Sequence, residues 1–204
     1  MTAVETGGSR KAASPLRKLL REPDLAVGLA ITGFIAIVVL FPGLFSGQSP
    51  LAINIDKSLE APSALHLFGT DDVGRDVFAR IVYGARVTLL VCAGALAAAA
   101  FIGGSLGIIS GFLGKRVDML LGRLADVVLS FPPIILGIMV TGILGPSTAN
   151  LAMALTVVYV PSFYRIARSG AVSEAGRPYV EAARSSGLGE VRILVNHVTR
   201  NVVP

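Results

Sequence analysis

Charge is scarce in this 204-residue chain: Asp, Glu, Lys and Arg make up 15% of it, against 53% hydrophobic residues. A soluble domain carries about a quarter charged residues, so the chain is short of solvent-facing surface. The single cysteine, Cys92, lies within an apolar stretch, which excludes an internal disulfide and a cysteine-based metal site. Two histidines, His66 and His197, have neither triad nor metal-ligand spacing. No catalytic residue and no metal ligand is therefore assigned, and a membrane protease or metalloenzyme is set aside. No G-x-x-x-x-G-K-[ST] loop occurs, so the chain cannot cradle ATP phosphates itself, and no cofactor is expected. The net charge of +5 does not call for nucleic acid. Its basic residues collect beside apolar stretches, which is the positive-inside pattern of membrane proteins.

What the chain does have is long apolar runs. Residues 25–45, 87–113 and 127–164 contain no charge at all. Crossing about 30 Å of hydrocarbon at 1.5 Å per residue takes roughly 20 mostly apolar residues. The first two runs fit one span each and the third fits two. The expected fold is all-α, a polytopic transmembrane helix bundle in the lipid membrane with four spans. The first run exceeds a signal-peptide core and lacks an A-x-A-like site, so it reads as a retained helix.

Basic residues orient the spans. Arg10, Lys11, Arg17, Lys18 and Arg21 place the N-terminus in the cytoplasm. Residues 1–24 read as a cytoplasmic tail, small and polar at first. An amphipathic segment then opens at Ser14-Pro15, with Leu16, Leu19 and Leu20 on one side. Residues 25–45 form the first span, and residues 46–86, whose charges nearly balance, an external loop. Residues 87–172 hold spans two to four. Lys115 and Arg116 mark a cytoplasmic turn, a third span runs from near Val117 to about Leu144, and Gly145-Pro146-Ser147 makes an external turn. A fourth span covers residues 151–165, with Arg165 and Arg168 ending it inside.

The second span carries small residues at every fourth position: Ala95, Ala99, Gly103, Gly107 and Gly111. Positions four apart share a helix face, and small side chains there let another backbone come close, so this is the expected packing face. Asp118, Arg123 and Asp126 would each cost roughly 2.5–3.5 kcal/mol at the bilayer centre. They are expected near the interface, with Arg123 and Asp126 paired.

Residues 173–204 are too polar to span but are patterned. Pro178 is placed to open a short helix and Gly187 to end it. Glu181 is within reach of Arg184 or Ser185. A second helix fits residues 189–200, with Val191, Leu194, Val195 and Val198 on its apolar face. Two short helices with a glycine corner make a rigid cytoplasmic protrusion, expected to dock on something else. In the external loop, Thr70 is placed to cap a helix beginning at Asp71. Asp76 and Arg80 stand at i, i+4 spacing.

Two motifs carry a family resemblance. Glu181-Ala182-Ala183, followed by Gly187, Leu188, Ile193, His197 and Asn201, resembles the EAA signature of ABC importer permeases. His66-Leu67-Phe68-Gly69-Thr70-Asp71, then Gly74-Arg75-Asp76, Arg80, Gly84, Arg86 and Leu89, resembles the stretch before the second span of dipeptide, oligopeptide and nickel permeases. Gly111-Phe112-Leu113-Gly114, Asp118, Asp126 and Ser130-Phe131-Pro132 follow that family's order. One departure is Arg200-Asn201, where the family often has Pro-Asn, and it puts the end of the second short helix in question.

The resemblance implies a type I permease fold with six spans. The chain is expected to be truncated at its C-terminus, where a fifth span would begin beyond Pro204. It further implies a coupling role toward ATP-binding-cassette ATPase subunits for Glu181, Ala182, Ala183, Gly187 and Leu188. The remaining partners implied are a second permease subunit, an extracytoplasmic substrate-binding protein and the bacterial inner membrane. Gly69, Thr70, Asp71, Gly74, Arg75 and Asp76 form the external family motif, read here as an interfacial structure rather than a substrate site. The expected function is half of a translocation pathway for peptides, nickel or glutathione, with substrate-binding residues unassigned. The alternative is a truncated, inactive or scaffolding membrane protein.

Overall fold

The computed structural model of the chain describes residues 23–202. Most of the expected tail, including the amphipathic segment after Ser14, lies outside the described residues. The chain divides into two compact units, Met1–Val87 and Thr88–Pro204. Among the described residues there are helices and no strand, with one isolated bridge between Thr70 and Asp76. The all-α fold class is therefore correct.

The first unit contains α1 (Pro23–Leu40), two single 3-10 turns (Pro42–Leu44 and Ile55–Lys57) and the start of α2 (Val77–Leu113). α1 is apolar all round and almost wholly exposed, with Val27, Ile31, Phe34 and Leu40 each more than half accessible. A helix hydrophobic on every face belongs in lipid. The 37 residues of α2 span about 55 Å at 1.5 Å per residue, longer than the hydrocarbon thickness.

The second unit holds the rest of α2, then α3 (Lys115–Leu129), α4 (Pro133–Leu144) and α5 (Thr148–Ala175). A hairpin follows: α6 (Pro178–Ser185), α7 (Glu190–Ile193), a π-helical turn (Leu194–Val198) and α8 (Thr199–Val202). Its core is formed by Ile108 and Phe112 of α2, Ala171 of α5, Val180 and Ala183 of α6, Ile193 and Val198. The ends of the long helices and the terminal hairpin thus share one apolar cluster.

The four expected spans are not all alike. By length and composition α1 and α2 can each cross a membrane. The expected third span consists of two helices, α3 and α4, bent by 90°. Ser130-Phe131-Pro132 makes the break: Pro132 lacks an amide proton and disfavours helix at the residue before it, and Pro133 starts the new helix at its first position. The bent pair is apolar enough to count as one further span. The fourth expected span is longer than 151–165: α5 runs unbroken for 28 residues through Pro161, Arg165 and Arg168. It is long enough to cross but is not among the helices apolar enough to do so, so the described residues show two spans, or three with the bent pair, where four are expected. At the turn before it, the Ser147 hydroxyl accepts from Asn150 N–H at 3.0 Å. The Asn150 amide caps α4 by donating to Leu144 O and Gly145 O, at 2.7 and 2.9 Å.

Candidate functional site

The small-residue face of α2 lies against α5. Ala95 and Ala99 are buried, and Ala95 O accepts the Thr156 hydroxyl at 3.3 Å. Cβ atoms added at Gly103 and Gly107 would collide with the carbonyl oxygens of Val160 and Tyr164, and one at Gly111 would stand 2.6 Å from Arg168 O. The partner positions 160, 164 and 168 are again four apart. Two backbones in such contact leave no room for a methyl group.

A polar node sits in the same interface. Ser110 is fully buried. Its hydroxyl donates to Asp118 Oδ1 at 2.8 Å and therefore accepts from the Tyr164 hydroxyl, also at 2.8 Å. Asp118 also takes both prongs of the Arg168 guanidinium, Nη2 at 2.6 Å from Oδ2. The node joins α2, α3 and α5, and fork-on-fork geometry fixes orientation as well as distance. Asp126 pairs with Arg165 of α5 at 2.7 Å rather than with Arg123. The partner across the helix interface reaches it better than the neighbour on its own helix.

In the hairpin, Pro178 occupies the first position of α6 and Gly187 follows its end with φ +79°. Leu188 N–H donates to Ala183 O at 3.2 Å and Gly187 N–H to Arg184 O at 2.9 Å. These are the two bonds of a Schellman cap, which needs a left-handed residue at Gly187. Ala183 faces the core and Leu188 packs against it, whereas Glu181, Ala182 and Gly187 are exposed. Arg184 does not pair with Glu181. It forks onto Glu190 at 2.9 and 3.1 Å, across the glycine corner, and its guanidinium lies 5.4 Å from the Phe112 ring centre.

The expected apolar face of the second short helix is displaced. Val191 and Val195 are 76% and 58% exposed, while Ile193 and Val198 are fully buried. The π turn explains the shift: its i→i+5 bonding adds a residue to the turn, so the buried positions fall five apart. Arg200 does not end the helix, which continues through α8 to Val202.

In the first unit, residues 54–80 close into a knot at the start of α2. Asp76, not Thr70, caps the helix: its Oδ1 accepts Ala79 N–H at 2.6 Å, and α2 begins at Val77 rather than at Asp71. Asp76 Oδ2 meets His66 Nδ1 at 2.8 Å, with both residues buried. Arg80 binds Asp71, not Asp76. Asp71 Oδ1 accepts from the Val73 and Arg75 amides, at 3.0 and 2.9 Å, and Oδ2 from Arg75 Nε at 2.8 Å. Burial pushes the Asp71 carboxyl up, but these donors outweigh it and hold it at about 2. Thr70 accepts Glu60 N–H at 2.8 Å and donates to Lys57 O. Gly69 (φ +71°) and Gly74 (φ +75°) are left-handed, and a Cβ at either would overlap a loop carbonyl, Glu60 O or Asn54 O. His66 and Asp76 as a pair were not visible in the sequence, because loop closure brings them together.

Residues 103–204 match the family described as "Binding-protein-dependent transport system inner membrane component". The chain is 41% identical to the dipeptide transport system permease protein DppC of Alkalihalophilus pseudofirmus, over 93% of its own length and 64% of that protein's. It is 35% identical to "Probable D,D-dipeptide transport system permease protein DdpC" of Escherichia coli K12, over 89% of its length and 61% of that protein's. The chain therefore spans somewhat under two thirds of these relatives.

Proposed function

The chain belongs to the family of binding-protein-dependent transport system inner membrane components, and from that premise we propose that it forms one half of a peptide translocation pathway in an ATP-driven importer. Members of this family are transport components, not enzymes. Dipeptides are the favoured cargo within a class that includes oligopeptides, nickel and glutathione, because both relatives carry dipeptide names. The N-terminus and the α6–α8 hairpin face the cytoplasm, and residues 46–76 face outward, toward a substrate-binding protein. A second permease subunit supplies the other half of the path.

One observation carries the coupling role: α6 packs its Val180 and Ala183 side on the ends of α2 and α5 while Glu181, Ala182 and Gly187 are exposed. A short helix with a buried side and a presented side can transmit a push without deforming. ATPase subunits are the partners proposed for the presented side, with Ala183 and Leu188 anchoring it from beneath. The test is co-purification from membranes in which the chain is expressed with its ATPase and second permease. Wild type should retain the ATPase, and Glu181→Lys and Gly187→Pro should lose it while keeping the second permease. Equal retention by all three would remove the hairpin from the docking surface.

A further inference from the structure

Three elements of the second unit meet at one phenol. Tyr179, in the first turn of α6, donates its hydroxyl to Glu174 Oε2 at 2.7 Å and accepts from Asn201 Nδ2 at 3.1 Å. Glu174 lies in the last turn of α5 and is only 8% exposed. Its other oxygen accepts Arg177 Nε at 2.9 Å. Asn201 belongs to α8. The single hydroxyl is thus spent once as donor and once as acceptor, tying the end of α5 to the start of α6 and to the last helix.

The apolar cluster beneath the hairpin cannot supply this registration. Burial of Val180, Ile193 and Val198 is non-directional and tolerates rotation of α6 about its axis. Hydrogen bonds have direction, and weaken steeply off-axis. A buried carboxylate also needs its donors, so Glu174 resists any movement that would withdraw Tyr179 or Arg177. Burial raises the Tyr179 phenol above its ordinary value; the Asn201 bond opposes this and the Glu174 carboxylate adds to it. The group therefore stays protonated, and a donor, at every physiological pH. Gly170 closes the arrangement at the far end, where an added Cβ would stand 3.0 Å from Val202 Cγ1.

We propose that Tyr179, Glu174 and Asn201 form a latch that sets the orientation of the α6–α8 hairpin on α5, making Tyr179 a positioning residue for the docking face of α6. The partner rests on the coupling reading above; the latch does not.

The test uses the chain in lipid nanodiscs and two readouts, amide hydrogen exchange over residues 178–202 and titration with the ATPase subunit. Tyr179→Phe keeps the ring and its packing but removes the hydroxyl. Loss of two hydrogen bonds should raise exchange over the hairpin about tenfold and weaken ATPase binding about fivefold, with exchange in α1 unchanged. Glu174→Gln should raise exchange less in the Tyr179→Phe background than in wild type, because the tie to Tyr179 is already broken there and only the Arg177 pair is left to weaken. Asn201→Ala, at an exposed position, breaks the tie without touching the buried carboxylate and should raise exchange in the same peptides. If Tyr179 only fills space, Tyr179→Phe will match wild type in both readouts and the latch is overturned. If wild type binds no ATPase, the docking reading fails, while the exchange contrast still decides the latch.

Discussion

Gly111 of α2 lies so close to Arg168 of α5 that a Cβ on the glycine would stand 2.6 Å from the arginine carbonyl oxygen. Gly107 and Gly103 meet Tyr164 and Val160 in the same way one and two turns earlier. Gly107→Ala should therefore destabilise the second unit by about 1–3 kcal/mol, the usual cost of overpacking a close interface. Gly104→Ala, at a position with nothing within 4 Å, should be neutral or slightly stabilising, because alanine favours helix. Unfolding in mixed detergent, followed by circular dichroism, separates the two.

The Asp118–Arg168 pair predicts a second contrast. Asp118→Asn weakens the guanidinium fork and the Ser110 bond together, and should cost about 1–3 kcal/mol by leaving polar groups under-satisfied. Asp126→Asn breaks a pair whose side chains are 65% and 59% exposed, and should change stability by less than about 1 kcal/mol. The same unfolding assay measures both.

Much of this was legible in the sequence and some was not, for physical reasons. Charge-free runs announce spans because charge is expensive in lipid, and Gly187 announces a corner because only glycine readily takes a left-handed turn. The size of the bend is hidden: Pro132-Pro133 marks a place where a helix can break, but Val127, Val128 and Leu129 before it and Ile134 and Ile135 after it read as one apolar run. The π turn is hidden too: a sequence scanned at a period of 3.6 places Val191 and Val195 on the buried face, and only the extra residue in the turn exposes them. His66 and Asp76 are ten residues apart, in a loop whose closure no periodicity encodes. The matching face of α5 was equally out of sight, because Val160, Tyr164 and Arg168 contribute carbonyl oxygens to the contact, which any residue type has.

At low pH the loop before α2 should loosen in a defined window. The Asp71 carboxyl is held at about 2 in the folded chain, below its ordinary 3.8. Its contribution is complete above about pH 4 and is lost as pH falls toward 2. Amide exchange of residues 71–75 should accelerate across that window, and Asp71→Asn should accelerate it at neutral pH and abolish the pH dependence.

Gly187→Ala should destabilise the hairpin by about 1–2 kcal/mol, the cost of a left-handed alanine. Gly187→Asn should cost less, because asparagine visits that conformation more readily. Local exchange at Leu188 and Gly187, whose amides make the Schellman bonds, reads the difference directly.

The most direct measurement of the coupling claim is site-specific cross-linking between the hairpin and the ATPase subunit. In a Cys92→Ser background, cysteines at Glu181 and Ala182, on the exposed face, should cross-link to the ATPase in high yield. Cysteine at Ala183, on the buried face of the same turn, should not. Cross-links at 181 and 182 with none at 183 are expected if the exposed face of α6 docks on the ATPase. No ATPase adduct from either exposed position, in membranes where the assembled transporter is present, would contradict that docking.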